Sequence, residues 1–321
     1  MTTNLPSSYT ASALLHQHTL HERGDELLLA LATHAGFVTD HINLNSSNLS
    51  TLPDTLRRCV DAHVFSVYDN QLRDVPEWLW TFTHLHTLNL SANAFEHLPD
   101  ALGKLTALGM LDLGHNQLTH IPDIFETVPD LEFLYLSNNR LTQLPASMRV
   151  LKKLHYLNVT DNAFSSLPDW IGQLHGLQEL RAYNNRLTTL PESIASLTDL
   201  RELHVMQNQL HHLPSTLGHC SQLEKLMVQG NHLTQLPETL GGLGQLTELD
   251  LRFNALTELP ESVAHLTSLR FLDLRANALS TLPEGLAHLP MLEKLDVRWN
   301  RLTELPKAFN TLRERGCLVY T

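Results

Sequence analysis

Residues 131–145 read LEFLYLSNNRLTQLP, and the spacing of leucine within this stretch decides the fold. Leu134 and Leu136 alternate with Phe133 and Tyr135, which face the other way. This alternation predicts a strand with one buried face. Asn139 follows where the chain leaves the strand, and an amide there can satisfy backbone groups of adjacent turns. Pro145 fixes φ and donates no N–H, so it suits a bend where the chain starts across the back of the unit.

The same pattern recurs every 23 residues along most of the chain. Asparagine occupies the place of Asn139 at positions 70, 93, 116, 162, 185, 208, 231, 254, 277 and 300. Ser47 takes that place one step earlier, which gives 12 contiguous repeats, and 12 of the 15 prolines occupy the place of Pro145. Units of this kind stack into a solenoid, because each buries its apolar face only against its neighbours.

The repeats predict an α/β solenoid. Successive strands should pair in parallel at about 4.8 Å. The segments after each proline, such as 237–243, should cross the back as short helical or 3₁₀ segments. The expected organisation is an N-terminal helical cap over residues 1–38, twelve repeats over 39–312, and a closing strand within 313–321.

Both ends of a solenoid need a cover for their apolar faces. Two short helices are expected over 12–23 and 25–34, and Leu27, Leu28 and Leu31 should dock on the first repeat. At the other end, Leu318 and Tyr320 occupy the strand positions of a thirteenth repeat. We expect a monomer; an end-to-end dimer through this C-terminal edge and a further domain after it are the alternatives.

The full motif, LxxLxLxxNxLxxLPxxLxxL, resembles the leucine-rich repeat family in its leucine-proline form and covers about residues 39–312. It is similar to bacterial proteins of this family and to the intracellular Ras-group members. The resemblance implies a right-handed arc with a concave parallel β-sheet, short helical or 3₁₀ convex segments, and a role as a protein-binding scaffold. Two departures, Ser47 for asparagine and Ala182 for a strand leucine, predict a looser first repeat and one thinner core layer.

Charge and composition exclude several classes of partner and location. The formal net charge is −12 and no basic stripe is present, so we expect no nucleic-acid partner. No apolar run approaches the length of a membrane span, and the polar start of the chain lacks a signal peptide. Three dispersed cysteines, Cys59, Cys220 and Cys317, favour a reducing compartment. The expected location is cytoplasmic, with export as an effector by a route without a signal peptide as the alternative.

One pattern invites a catalytic interpretation. Cys59 and Asp61 form a Cys-x-Asp pair similar to the catalytic signature of secreted bacterial ubiquitin ligases, whose substrate-binding half has related repeats. Other repeats fill the place of Cys59 with leucine, as at Leu105 and Leu151, and Cys220 stands in the same column. A buried, inert thiol is therefore expected at both positions.

The 20 histidines raise the question of a metal site. His16, His18 and His21 form the densest group, but no second cluster of ligand residues supports it. Glycine-rich phosphate loops and nucleophile elbows are absent from the sequence. We predict no catalytic residue, no metal and no cofactor, and that the protein is not an enzyme.

The side chains between the buried strand leucines should face the concave side of the sheet. Aromatic, arginine and methionine side chains, the types enriched at protein interfaces, gather in a central patch, defined as Phe133, Tyr135, Tyr156, Arg181, Tyr183, His204, Met206 and Met227. A charged ladder follows, defined as Asp250, Asp273 and Asp296 beside Arg252, Arg275 and Arg298, with Phe253 and Trp299 next along. Tyr68 is a further candidate on the same face.

Each region also has a purely structural interpretation. Aromatic side chains are favoured cross-strand neighbours in any partly exposed sheet. The two columns of the charged ladder can neutralise each other instead of steering a charged partner.

The leading hypothesis is a scaffold that binds a protein on its concave face. The alternatives are a secreted bacterial effector, the recognition module of a ubiquitin-ligase-like system, and a self-assembling structural protein.

Overall fold

The computed structural model describes residues 24–321, so the helix expected over 12–23 and the histidines within it lie outside the described residues. The described chain begins with helix α1 (Gly24–Thr33), which buries Leu27 and Leu31 against the first repeat. Arg58 of that repeat holds the end of α1, because its guanidinium donates to the carbonyl oxygens of Leu31 and Ala35.

Between residues 24 and 321, thirteen strands of three residues form one parallel sheet in chain order. The strands are β1 (His41–Asn43), β2 (Val64–Ser66), β3 (Thr87–Asn89), β4 (Met110–Asp112), β5 (Phe133–Tyr135), β6 (Tyr156–Asn158), β7 (Glu179–Arg181), β8 (Glu202–His204), β9 (Lys225–Met227), β10 (Glu248–Asp250), β11 (Phe271–Asp273), β12 (Lys294–Asp296) and β13 (Leu318–Tyr320). Each residue of β5 pairs with the residue 23 positions later in β6, as the period predicts. The solenoid arc is confirmed.

The core is a continuous column of leucine between the sheet and the back of the repeats. Leu134 and Leu136 are fully buried, as are their counterparts in most repeats, and burying one leucine stabilises the fold by about 2 kcal/mol. Ala182 is also fully buried. Cys59 and Cys220 are 2% and 0% exposed and lie in this core, which confirms the expectation of buried thiols.

Burial has a chemical consequence for the thiols. It raises the pKa of Cys220 to about 11, so this sulfur stays protonated at neutral pH and is a poor nucleophile.

After Pro122 the crossing is a turn at residues 125–127, whereas the other eleven crossings are 3₁₀ helices that follow the repeat prolines, as predicted. They span Asp54–Cys59, Glu77–Thr81, Asp100–Lys104, Ala146–Val150, Asp169–Gln173, Glu192–Ser196, Leu217–His219, Glu238–Gly242, Glu261–His265, Glu284–His288 and Lys307–Phe309. Pro145 is extended, with φ −67° and ψ 144°, immediately before its 3₁₀ helix. Neighbouring crossings pack closely, because a Cβ placed on Gly218 would lie 1.8 Å from the carbonyl oxygen of Thr239.

The asparagine column joins each repeat to the one before it. Nδ2 of Asn208 donates to the carbonyl oxygens of Ala182, Val205 and Met206 at 2.9 to 3.1 Å, and its Oδ1 accepts the N–H of Leu187 at 2.9 Å. The amide therefore satisfies buried backbone groups on two turns of the solenoid at once.

Ser47 departs from this column because α1 takes the space. A Cβ placed on Gly24 of α1 would lie 2.1 Å from Oγ of Ser47. The longer side chain of asparagine would collide with the helix. The first repeat therefore lacks the hydrogen bonds of an asparagine amide, and α1 packs against it instead.

The residue before each repeat asparagine has a left-handed backbone. This column consists of Ser46, Asp69, Ala92, His115, Asn138, Asp161, Asn184, Gln207, Gly230, Phe253, Ala276 and Trp299, with φ between 51° and 68°. Glycine and asparagine adopt this conformation at low cost, whereas a bulky side chain does so rarely. Phe253 and Trp299 are thus unusual occupants.

The C-terminal end of the sheet has a different connection. Helix α2 (Asn310–Glu314) precedes β13, and Leu318 pairs with Lys294, 24 positions earlier. Gly316, with φ 89°, makes the turn between α2 and the strand. The repeat pattern predicts the strand positions of Leu318 and Tyr320 but gives no sign of α2.

Within residues 24–321, no helix is long and apolar enough to cross a membrane.

Candidate protein-interaction surface

The three-residue strands decide which side chains reach the concave face. In β5 the middle residue, Leu134, is fully buried, while Phe133 and Tyr135 on either side of it point to the opposite face. Leu136 turns inward again and Ser137 outward. The candidate surface is therefore built from three columns, the first and last residue of each strand and the residue two places after the strand.

Aromatic side chains of the central patch pack on one another across neighbouring strands. The rings of Tyr135 and Tyr156 lie 4.8 Å apart between centroids, and Met110 and Phe133 complete a small apolar cluster. Tyr135 and Tyr156 are each only 9% exposed, so the expectation that both lie on an exposed surface is wrong. They are buried because side chains on adjacent strands, about 4.8 Å apart, are in van der Waals contact.

Charged groups border this aromatic cluster on β7 to β9. Arg181 donates to Glu179 through Nε, and its guanidinium carbon lies 5.8 Å from the centroid of the Tyr156 ring. Glu202 accepts hydrogen bonds from His204 Nε2 and Lys225 Nζ, both at 2.9 Å. This arrangement orders the concave side chains of three consecutive strands.

Glu202 is the most perturbed carboxylate of this network. Burial raises its pKa, but the hydrogen bonds from His204 and Lys225 and the charge of Lys225 together outweigh burial and lower the pKa to about 2. Glu202 is therefore ionised at any physiological pH, and it holds Lys225 and His204 in place.

Glu179, Glu202 and His204 bring three candidate ligand atoms within 4.8 Å of one another. Their geometry alone would suit a divalent cation. However, the carboxylates already accept hydrogen bonds from Arg181 and Lys225, and these two cationic side chains would repel a metal ion. The group is better described as an ion-pair network.

Tyr183, Met206 and Met227 form the accessible part of the central patch. All three are half-buried and occupy consecutive repeats. Tyr68 does not join them, since it follows β2, several strands from the patch, and is 37% exposed. The structure thus divides the predicted residues into a buried aromatic pair, an accessible group and an isolated tyrosine.

The charged ladder stacks three Asp–Arg pairs beside β10, β11 and β12. Nε of Arg275 donates to Oδ1 of Asp273 at 2.9 Å, and its Nη2 donates to Oδ2 at 2.7 Å. Arg252 and Arg298 have the same geometry with the aspartates two positions before them. Neighbouring Asp–Arg pairs are also linked, because Nε of Arg275 lies 3.5 Å from Oδ2 of Asp296.

Burial separates the two signs of charge within the charged ladder. The Asp296 and Asp250 side chains are 0% and 7% exposed, whereas those of Arg298 and Arg252 are 40% and 29% exposed. In the middle pair, Asp273 and Arg275 are about equally exposed, at 18% and 20%. Burial raises the pKa of Asp296, but the hydrogen bonds and charges of its arginine neighbours more than offset this and hold the pKa below its usual value. In the two outer pairs the carboxylates therefore lie beneath, and the guanidinium groups face solvent.

Phe253 and Trp299 stand beside the charged ladder and are 54% and 65% exposed, as expected. The guanidinium carbon of Arg298 lies 5.6 Å from the centroid of the Trp299 ring and 5.2 Å from that of Tyr320. Both Phe253 and Trp299 occupy the left-handed column, where a bulky side chain costs about 1 kcal/mol or more. Such strain at exposed positions is typical of functional surfaces.

Sequence reasoning identified Phe133 and Tyr156 in the first column of the concave face but missed the other functional candidates there. Glu179, Glu202, Lys225, Phe271 and Lys294 begin their strands and point to the same side as the predicted residues. The sequence pattern could have identified them, because strand side chains alternate and each of these residues lies two places before a residue already assigned to the surface.

Two family models match the chain. One, described as leucine rich repeat, matches residues 83–141, 221–279 and 244–302. The other, described as leucine-rich repeat region, matches residues 146–231. A comparison with curated proteins finds no match.

Solved structures with the same fold come from several bacteria. A leucine-rich repeat protein of Leptospira interrogans has 28% identity and a TM-score of 0.62 over 87% of this chain and 83% of its own. YopM from Yersinia enterocolitica WA-314 has 29% identity and a TM-score of 0.63 over 83% of this chain, which spans about half of YopM, 52%. An internalin from Listeria monocytogenes, at 21% identity and a TM-score of 0.76 over 88% of this chain and 87% of its own, shows the fold alone.

Proposed function

We propose, from the premise that this chain belongs to the leucine-rich repeat family, that it is a scaffold whose concave face binds another protein. The observation that carries the proposal is the contrast between the two faces of each strand. The buried face repeats leucine with the 23-residue period, while the concave face changes from small polar residues to aromatic, thioether and charged ones along the chain. A purely structural face would not need this variety.

The accessible part of the central patch favours a protein ligand. Tyr183, Met206 and Met227 offer an aromatic ring and two flexible thioethers, which are enriched where proteins bind proteins. Cross-strand packing accounts for Tyr135 and Tyr156, which bury each other, but leaves Tyr183 and Met206 unexplained.

A matched pair of double variants tests the proposal. Tyr183→Ser with Met206→Ser alters the concave face, and Val60→Ser with Met291→Ser alters exposed apolar residues outside the sheet, which are 37% and 53% exposed in the native protein. Each variant is immobilised and used to capture partners from native lysate, with thermal unfolding as the folding check. We expect the concave variant to lose recovery by about tenfold or more, since central aromatic residues dominate binding energy, and the control to keep it. Equal recovery by both variants would contradict the proposal.

We propose that the chain is not an enzyme and does not act through Cys59. Support comes from the position of this thiol, which is 2% exposed within the leucine core. Labelling of the native protein with a thiol reagent should leave Cys59 unmodified until the chain unfolds. Rapid native labelling would restore the ubiquitin-ligase alternative.

A secreted bacterial effector is the alternative setting for the same binding surface. The 29% identity to YopM supports it. Residues 1–38 fused to a reporter should then appear outside bacteria that carry a dedicated secretion apparatus, and stay inside a strain that lacks it.

Self-assembly is the remaining candidate. It is favoured by β13, where Leu318 and Tyr320 are 57% and 40% exposed. Light scattering over a dilution series should show concentration-dependent oligomers if this strand joins two copies, and a constant monomer mass if it does not.

A further inference from the structure

We propose that the charged ladder binds an acidic, extended segment of a protein partner. This inference rests on the proposed function, concave-face binding of a protein, and names the chemistry that one end of that face selects.

The arginines retain hydrogen-bonding capacity after pairing with the aspartates. Arg252, Arg275 and Arg298 each use Nε and Nη2 on a carboxylate, and Nη1 has no hydrogen-bond partner among residues 24–321. Because the fixed carboxylates orient the guanidinium planes, a ligand loses less side-chain entropy on binding than with free arginines. The ladder is therefore a preorganised row of donors.

Burial and pairing decide the sign of the ligand. A cationic segment would meet the guanidinium groups first at the two outer pairs, and all three aspartates are already paired with arginine. An anionic segment would meet unused N–H donors. Charge-assisted hydrogen bonds of this kind are shorter and stronger than neutral ones.

The surface at the ladder is concave on a scale that fits a peptide. A groove of about 280 Å³ is lined by Arg252, Arg275 and Lys294, with Met227 and Phe271 as its apolar walls. Three neighbouring strands place the arginines across about 10 Å, the length of roughly three residues of extended chain. The groove is also lined by Glu248 and by Asp250 and Asp273, which are paired with Arg252 and Arg275, so it favours acidic groups that alternate with apolar ones over a uniformly charged polymer.

Aromatic side chains flank the row at both ends. Phe253 directly follows Arg252, and Trp299 directly follows Arg298. Both have left-handed backbones and are more than half exposed, so their side chains gain little from packing within the chain. A bound segment would cover them, and this gain would offset the local strain.

A long polyanion is disfavoured by the rest of the molecule. The formal net charge of −12 repels a nucleic acid along most of its length, whereas a short acidic segment contacts only the ladder. Nucleic-acid binding is thus the outcome against which the proposal is tested.

The test measures fluorescence anisotropy of a labelled, end-capped peptide of alternating glutamate and leucine at low salt. The comparison probes are a lysine–leucine peptide of equal length and an oligouridylate. We expect the native chain to bind the acidic peptide most tightly, with affinity that falls as salt is added. Arg275→Gln with Arg298→Gln should weaken binding by about tenfold or more.

Because those two substitutions leave buried aspartates unpaired, a charge-balanced variant, Asp273→Asn with Arg275→Gln, keeps the test valid if the first fails to fold. Arg270→Gln is the matched control, since Arg270 lies in the same repeat, pairs with Glu293 and precedes β11 outside the ladder. Unchanged peptide affinity in the ladder variants, or tighter binding of either comparison probe, would overturn the inference.

The peptide assay is independent of partner capture. If the Tyr183 and Met206 variant still captures its partner while the ladder variants lose the peptide, the proposed function fails at the central patch and this inference stands. If the ladder variants keep the peptide while the concave variant loses its partner, the inference alone fails.

Discussion

Replacing Asn208 by alanine tests the role of the asparagine column. Asn208 is 6% exposed, and its amide is the hydrogen-bond acceptor for the N–H of Leu187. The carbonyl oxygens of Ala182 and Val205 keep donors from Asn185 and Asn231 after the substitution, so they lose little. The N–H of Leu187 is left unsatisfied inside the fold.

An unsatisfied buried N–H costs about 1 to 3 kcal/mol, and the small cavity adds to it. We therefore expect Asn208→Ala to lower the free energy of unfolding by about 2 to 3 kcal/mol. Equilibrium urea denaturation measures the change, and hydrogen exchange should show faster exchange of the Leu187 amide. Gln209→Ala is the control, since Gln209 is an exposed amide one residue later and should change stability by less than about 0.5 kcal/mol.

Equal effects of the two substitutions, or an unchanged exchange rate at Leu187, would refute this account of the column.

Three further predictions concern single positions. Glu202→Gln should destabilise the protein at neutral pH by up to about 3 kcal/mol, the value of a pKa lowered from 4.5 to about 2. Because the pKa of Glu202 is lowered in the folded state, this stabilisation is complete above pH 4.5 and is lost as the pH falls toward 2. Denaturation at several pH values should therefore show that the loss of stability in Glu202→Gln becomes smaller at low pH. A loss of stability that stays constant with pH would contradict the ion-pair network. Phe253→Asn should raise the free energy of unfolding by about 0.5 to 1 kcal/mol, since asparagine tolerates the left-handed backbone, and a loss of stability by the same assay would show that the strain is absent. Gly218→Ala should destabilise by more than about 1 kcal/mol because its Cβ would collide with the Thr239 carbonyl, and an unchanged melting temperature would exclude that close approach.

Much of the fold follows from the spacing of a few residue types. The 23-residue period predicts the parallel register from β1 to β12, because each repeat pairs only with its neighbours. The proline column predicts the 3₁₀ crossings, and the leucine column at Cys59 predicts a buried thiol. These features are local and repeat, so a single sequence contains many copies of the same signal.

The concave surface was harder to predict, because its geometry depends on contacts between repeats. Alternation along a strand shows which way Tyr135 and Tyr156 point, but their burial depends on how closely neighbouring side chains pack. Likewise, the charged ladder is visible as two columns of opposite sign, yet the sequence does not show that Asp296 lies beneath Arg298. The left-handed backbone of Trp299 cannot be predicted without knowledge of the turn in which it lies.

Oxidative footprinting of the complex with a captured partner tests the central claim most directly. The chain carries its own probes, since Met206 and Met227 lie on the concave face and Trp299 lies beside its charged ladder, whereas Met291, which is 53% exposed, lies before β12 and outside the sheet. Concave-face binding predicts that the partner lowers the oxidation rates of Met206, Met227 and Trp299 and leaves that of Met291 unchanged. Protection of Met291 with no change at Met206, Met227 and Trp299 would contradict the account.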